Sequence, residues 1–188
     1  MSSSALRDRD LVFIDTETTG LIHGYHEIVD LALVRTGPDA ARVLDVWSVK
    51  ICPLHLERMT AEALAVNGYN RDEWRSAAFD SAELWEKANA IMRGCIAVCH
   101  NPSFDRAMIS IAMRQWGMEP ACDYHWVGTE SMAWPLVRAG ILPSLALSEI
   151  AKFFGIQPEP IPHTALNGAT LCWSVYQWLA IVYGFPTT

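Results

Sequence analysis

Long apolar runs are missing from this chain. None reaches the ~20 residues a membrane-spanning helix needs, so no membrane partner is expected. Paired cysteines are missing too. The five present (Cys52, Cys95, Cys99, Cys122 and Cys172) are odd in number and form no C-x-x-C pair. That argues against a disulfide framework or a zinc site, and for a reducing cytoplasmic setting in which they act as small buried hydrophobes. Positive charge is scarce: 14 Lys and Arg stand against 21 Asp and Glu, for a net charge of −7. A protein that grips duplex nucleic acid by broad phosphate neutralisation needs the opposite balance. One that holds a few nucleotides through a bound cation does not, because the ion supplies the local positive charge.

Apolar residues are plentiful, at 51% against 19% charged, in a chain of 188 residues. This is the composition of one domain with a substantial core and the reverse of a disordered chain. Met1 to Asp10, Ser-rich and then charged, lacks the apolar stretch of a signal peptide and is expected as a short flexible lead. Residues 11–188 are expected as a single domain. Of the eight tryptophans, Trp85, Trp173 and Trp178 fall in apolar helical patterns and read as core; stacking on unpaired bases is a minor alternative.

Three strands are predicted first: Leu11 to Ile14, Glu27 to Arg35 and Val43 to Ile51, joined by short turns as an antiparallel meander. Thr60 caps a short helix closed by Asn67-Gly68, and Ser81 caps another running to Met92. Ile96 to Cys99 reads as a short buried strand, followed by a helix from near Ser103 to Gly117. Val127 to Leu136 holds a further strand-to-helix passage. Ser144 or Ser148 opens a helix through Phe154, and the last helix runs from about Thr164 to Tyr183. A meander followed by strand-helix alternation predicts an α/β domain: a mixed sheet flanked by helices.

The chemistry concentrates where strands end. After Leu11-Val12-Phe13-Ile14 come Asp15 and Glu17, two positions apart and therefore on one face of an extended chain. Two acids leaving an apolar core on one side repel each other and resist desolvation. A bare D-x-E can simply face water; a divalent cation between the two makes the pair sensible, and hard oxygen ligands suit Mg²⁺ or Mn²⁺. Thr18-Thr19-Gly20 follows directly, a turn able to present hydroxyls and backbone N–H groups to an anion. Asp105 repeats the pattern beyond the Ile96 strand, beside His100 and Asn101; capping of the helix is the competing explanation. His163, at a loop-helix junction after Pro158, Pro160 and Pro162, has the chemistry of a general base for hydrolysis.

Asp15-x-Glu17-Thr18-Thr19-Gly20, His100-Asn101-x-x-Phe104-Asp105 and His163-x-Ala165-Leu166, in this order, resemble the DEDDh (DnaQ-like) 3′→5′ exonucleases of the ribonuclease H-like superfamily. The likeness runs from about Leu11 to Leu179 and includes Met59 to Gly68. It implies a ribonuclease H-like mixed sheet and two-metal phosphodiester cleavage using Mg²⁺ or Mn²⁺. Asp15, Glu17 and Asp105 are then the metal ligands and His163 the base. Thr18, Gly20 and Leu21 hold the terminal nucleotide, with Asn101 beside them. The partners that the resemblance implies are 3′ ends of single-stranded DNA or RNA and, in the proofreading members of the family, a polymerase or repair complex.

One element of the family pattern is absent. The acid expected five residues after the histidine is Gly168, and no acid follows it. Asn167 is ~100° away around the helix and its amide is neutral. Sequence leaves three explanations open: an inactive or slow member, a deliberately disabled one, or one drawing a ligand from elsewhere. A non-catalytic 3′-end-binding module or a structural subunit is therefore the alternative to an exonuclease.

Overall fold

The strand Leu11–Thr18 (β1) lies in the interior of a six-stranded sheet, which is why its first four residues are all apolar and buried. Residues 5–185 are described by the computed structural model, except for the side chain of Arg75. Ile28–Thr36 (β2) pairs antiparallel with β1, and Val43–Cys52 (β3) pairs antiparallel with β2. The short Ala78–Phe79 (β4) adds to β3. On the other side of β1, Ile96–Cys99 (β5) and Trp126–Gly128 (β6) run parallel to it. The order β4-β3-β2-β1-β5-β6 is a mixed sheet: a meander, then parallel strands reached by helical crossovers.

Among the described residues six α-helices accompany the strands: Ala61–Asn67 (α1), Ala82–Met92 (α2), Pro102–Arg114 (α3), Thr129–Arg138 (α4), Leu147–Phe153 (α5) and Ala165–Val182 (α6). Side chains of β1 alternate between two cores. Val12 and Ile14 pack with Trp85, Met92, Met108 and Ile109 of α2 and α3. Leu11 and Phe13 face the opposite way, against Ala165, Ala169 and Cys172 of α6. A third cluster joins α4 and α5 to the outer side of α6 through Ala133, Ile150, Val175 and Leu179. No helix among the described residues is long and apolar enough to cross a membrane.

Local caps match the sequence signals. Thr60 Oγ1 accepts from Ala63 N, Gly68 closes α1 with φ of +60°, and Ser81 Oγ accepts from Leu84 N. Other boundaries are corrected. The third helix starts at Pro102, which suits the first helical position because it has no N–H to leave unpaired. Neither Ser144 nor Ser148 caps α5; Ala146 precedes it, and the Ser144 hydroxyl accepts from Ala146 N. Trp178 is 44% exposed and stacks on Phe154, so it is no core residue. Trp85 is buried, and Trp173 is partly buried with its Nε1 donating to Ala40 O. Within the expected N-terminal lead, residues 1–4 lie outside the described residues, Leu6–Asp8 forms a 3₁₀ turn and Asp10 pairs with Arg35.

Candidate active site

The parallel partner of β1 stops early: β5 pairs only with Leu11, Val12 and Phe13. Asp15 and Glu17 therefore project beyond the β5 edge, the position where ligand sites of α/β sheets form. They continue the face of Leu11 and Phe13, toward α6. Thr16 points the other way, and its hydroxyl donates to Asp105 Oδ1 at 2.9 Å. Asp105 lies in the first turn of α3 and is 5% exposed. One β1 segment thus sends acids to one side and fixes a third acid on the other.

His163 reaches the same place through tertiary contacts. Its backbone N–H donates to Val66 O at 2.8 Å, fastening the proline loop to α1. Thr164 caps α6, its Oγ1 accepting from Asn167 N. Ahead of it, Glu159 accepts the Thr164 N–H at 2.8 Å through Oε1, while its Oε2 lies 3.6 Å from His163 Nδ1. Ligand-capable atoms of Glu17, Glu159 and His163 all lie within 4.8 Å of one another. A cavity of about 450 Å³ is lined by Asp15, Glu17, His100, Glu159, His163 and Gly168 among others.

Gly168 touches the centre of this site. A Cβ there would lie 2.4 Å from Asp15 Oδ2 and 2.6 Å from its Cγ. The bare helix backbone makes room for the Asp15 carboxylate, which offsets the ~1 kcal/mol that glycine costs inside a helix. Asn167, on the neighbouring helical position, is exposed. His100 has both ring nitrogens engaged: Nε2 with Leu145 O and Nδ1 with Thr129 Oγ1, each at 2.9 Å. Leu145 O can only accept, so Nε2 carries the hydrogen. Burial keeps this imidazole below its ordinary pKa and hence neutral.

A second cavity of about 480 Å³ shares Thr16 and Glu17 with the first and is mostly apolar, lined by Leu21, Ile22, Ala63, Val66 and Phe104. Thr18 donates its hydroxyl to Gly20 O at 2.7 Å, and Asn67 Nδ2 donates to Thr18 O at 3.0 Å, so the turn is held from within and from α1. Gly20 is dictated by close approach, since a Cβ would sit 2.6 Å from the His26 ring. Leu21 is 78% exposed at the rim. Asn101 lines neither cavity; its Oδ1 accepts from the Ser103 hydroxyl.

The electrostatics are those of a site that wants positive charge. Burial, reinforced by Asp105 and Glu17, raises the Asp15 carboxyl well above the usual range. Burial and then Glu159 push Glu17 up to about 8. Asp105 is carried to about 7 by burial, against the opposing bond from Thr16. Burial also raises Glu159 and Asp30. Asp30 stands directly across from Glu17 in the β1–β2 register, and its Oδ2 accepts from Ala165 N at the start of α6.

Sequence reasoning missed Glu159 and Asp30. Each carried a faint signal: Glu159 is the acid between Pro158 and Pro160, four residues before His163, and Asp30 interrupts the apolar buried run Ile28 to Val34.

Clustered carboxylates at the end of such a sheet, facing a helix that begins just after a histidine, define an exonuclease domain of ribonuclease H-like fold. The RNase_T family, described as exonuclease, matches residues 12–175, and the chain belongs to that DEDDh (DnaQ-like) family. Among solved structures it is similar to the zinc-bound form of E. coli exonuclease I in complex with single-stranded DNA (TM-score 0.79, 16% identity, 94% of this chain and 41% of that one). A complex of E. coli exonuclease I with a dA16 oligonucleotide gives TM-score 0.78 at 16% identity, over 92% of this chain and 41% of that one. A product-bound exonuclease I gives 0.76 at 15%, over 92% and 43%. The chain spans less than half the length of these proteins, and at such identity the likeness is one of fold. No curated protein is matched by the sequence.

Proposed function

We propose that this protein is a metal-dependent 3′→5′ exonuclease that hydrolyses the terminal phosphodiester of single-stranded DNA or RNA and releases nucleoside 5′-monophosphates. The observation that carries the reading is the meeting of Asp15 and Glu17 with His163, distant from them in sequence, around one cavity beside an apolar recess. Hard carboxylate oxygens with raised pKa values fit Mg²⁺ or Mn²⁺, with Asp15, Glu17 and Asp105 as the holding residues. When bound, such ions supply positive charge to the phosphate and acidify water.

The chain's own groups account for the remainder. His163 has Nδ1 turned to Glu159, which leaves Nε2 to take the proton of the attacking water. As the water oxygen bonds to phosphorus, the bond to the 3′ oxygen of the preceding nucleotide breaks and the shortened strand departs. Leu21, Val66 and Phe104 offer apolar surface to the terminal base, and the Thr18–Gly20 turn shapes that recess. Nothing in this contact set reads a base edge, so trimming is expected to be sequence-tolerant. Complexes of E. coli exonuclease I with single-stranded DNA support that substrate class for a chain sharing its fold.

The test is an oligonucleotide labelled at its 5′ end and incubated with Mn²⁺. A ladder that shortens from full length, suppressed by a 3′-phosphate block, is the expected result. Immediate release of the label, or no product at all, contradicts it. The missing acid at Gly168 favours one second reading, a binding module for 3′ ends; saturable binding of the same strand without product would establish that instead.

A further inference from the structure

The departure from the family pattern at Gly168 has a counterpart on the opposite wall of the cavity. Position 168 cannot present a carboxylate, and the space where its side chain would begin is filled by Asp15. Across the cavity, Glu159 is anchored through one oxygen only. Oε1 is spent on Thr164 N, while Oε2 faces Glu17 and His163. The Glu159 side chain is only 9% exposed, on a proline-flanked loop fastened to α1 by the bond from His163 N to Val66 O. A carboxylate this buried, beside Glu17 and near Asp30, is out of place in a purely structural loop. A backbone N–H could be satisfied equally well by a neutral amide.

We infer that Glu159, beside Glu17, supplies a cation-binding carboxylate in place of the one that position 168 lacks, so that the divalent-metal site in the cavity lined by Asp15 takes a ligand from the loop before His163 rather than from the helix after it. The inference rests on the exonuclease reading of this cavity and deepens it. It selects among the explanations that sequence left open: the site draws its ligand from elsewhere, and the chain retains metal binding without Asp at 168.

Direct Mn²⁺ titration of the full chain, by calorimetry or by loss of the free-ion EPR signal, tests this without nucleic acid or turnover. The variants are Glu159→Gln and Glu17→Gln. Glutamine keeps an oxygen for Thr164 N and removes a like charge, so E159Q is expected to melt in EDTA at or above the wild-type temperature. Glu159→Asp, which withdraws the carboxylate by one methylene, serves as a second variant. E159Q is expected to weaken Mn²⁺ at least tenfold, E17Q at least as much, and E159D by an intermediate factor. If E17Q weakens Mn²⁺ while E159Q binds like wild type, the role of Glu159 is overturned and the exonuclease site stands. A shifted pH–rate profile for E159Q with unchanged Mn²⁺ affinity likewise overturns it, because Glu159 would then only orient His163. If wild type binds no Mn²⁺, both the inference and the reading beneath it fall.

Discussion

Raising the pH in the absence of metal should destabilise this protein, and Glu17 sets the scale. Its carboxyl lies at about 8 in the folded chain against 4.5 when unperturbed, because it is buried and faces Glu159, Asp30 and Asp105. The folded state therefore keeps a proton that the unfolded state has already lost. Between those two values the unfolded chain binds fewer protons, so stability falls as pH rises. Stability is fullest below 4.5 and is lost on the way to about 8. Integrated from pH 5 to pH 8, this one group removes about 3.5 kcal/mol. For a chain of this size that is a fall of roughly 7–14 °C in melting temperature.

Thermal melts in EDTA across that range measure the slope. Glu17→Gln, which has no proton to lose, isolates the contribution: its curve should be flatter by most of that amount. Mn²⁺ at a hundredfold over Kd should restore most of the loss at pH 8, since it contributes about 2.7 kcal/mol. Melting temperatures that stay level or rise from pH 5 to 8 in EDTA, or an E17Q slope equal to wild type, would refute the electrostatic reasoning.

Other outcomes follow from the same geometry. Asp15→Asn should lower the trimming rate in Mn²⁺ by at least a thousandfold while raising the metal-free melting temperature at pH 8, because a repelling charge leaves a buried cluster; rates and melts on one preparation check both. Thr16→Val removes the donor to buried Asp105 and should cost about 1–3 kcal/mol in chemical denaturation. Gly20→Ala drives a methyl into the His26 ring, with about 1–3 kcal/mol lost and weaker binding of nucleoside monophosphate by titration.

Much of the scaffold is written in short-range chemistry. The four apolar residues before Asp15, the caps Thr60 and Ser81, and the Gly68 stop each depend on neighbours a few positions away, and each behaves as its residue type dictates. Asp15 and Glu17 share a face because strand geometry alone places them so. What could not be read depends on contacts across the chain. Glu159 enters the cavity because His163 N is fastened to Val66 O, a bond between segments about a hundred residues apart with no local signature. The effect of Gly168 is legible only once Asp15 is seen packed against it. Trp178 departs from the core position that its apolar pattern predicts because it lies near the end of α6, where it is exposed.

The most direct measurement is anomalous scattering from a crystal soaked with Mn²⁺ and a nucleoside 5′-monophosphate. A manganese peak among the carboxylates of Asp15, Glu17 and Glu159, with the nucleotide's base against Leu21 and Val66, is the result expected. Manganese bound elsewhere, or a nucleotide seated away from these carboxylates, would contradict the claim that this cavity is built to cleave the end of a strand.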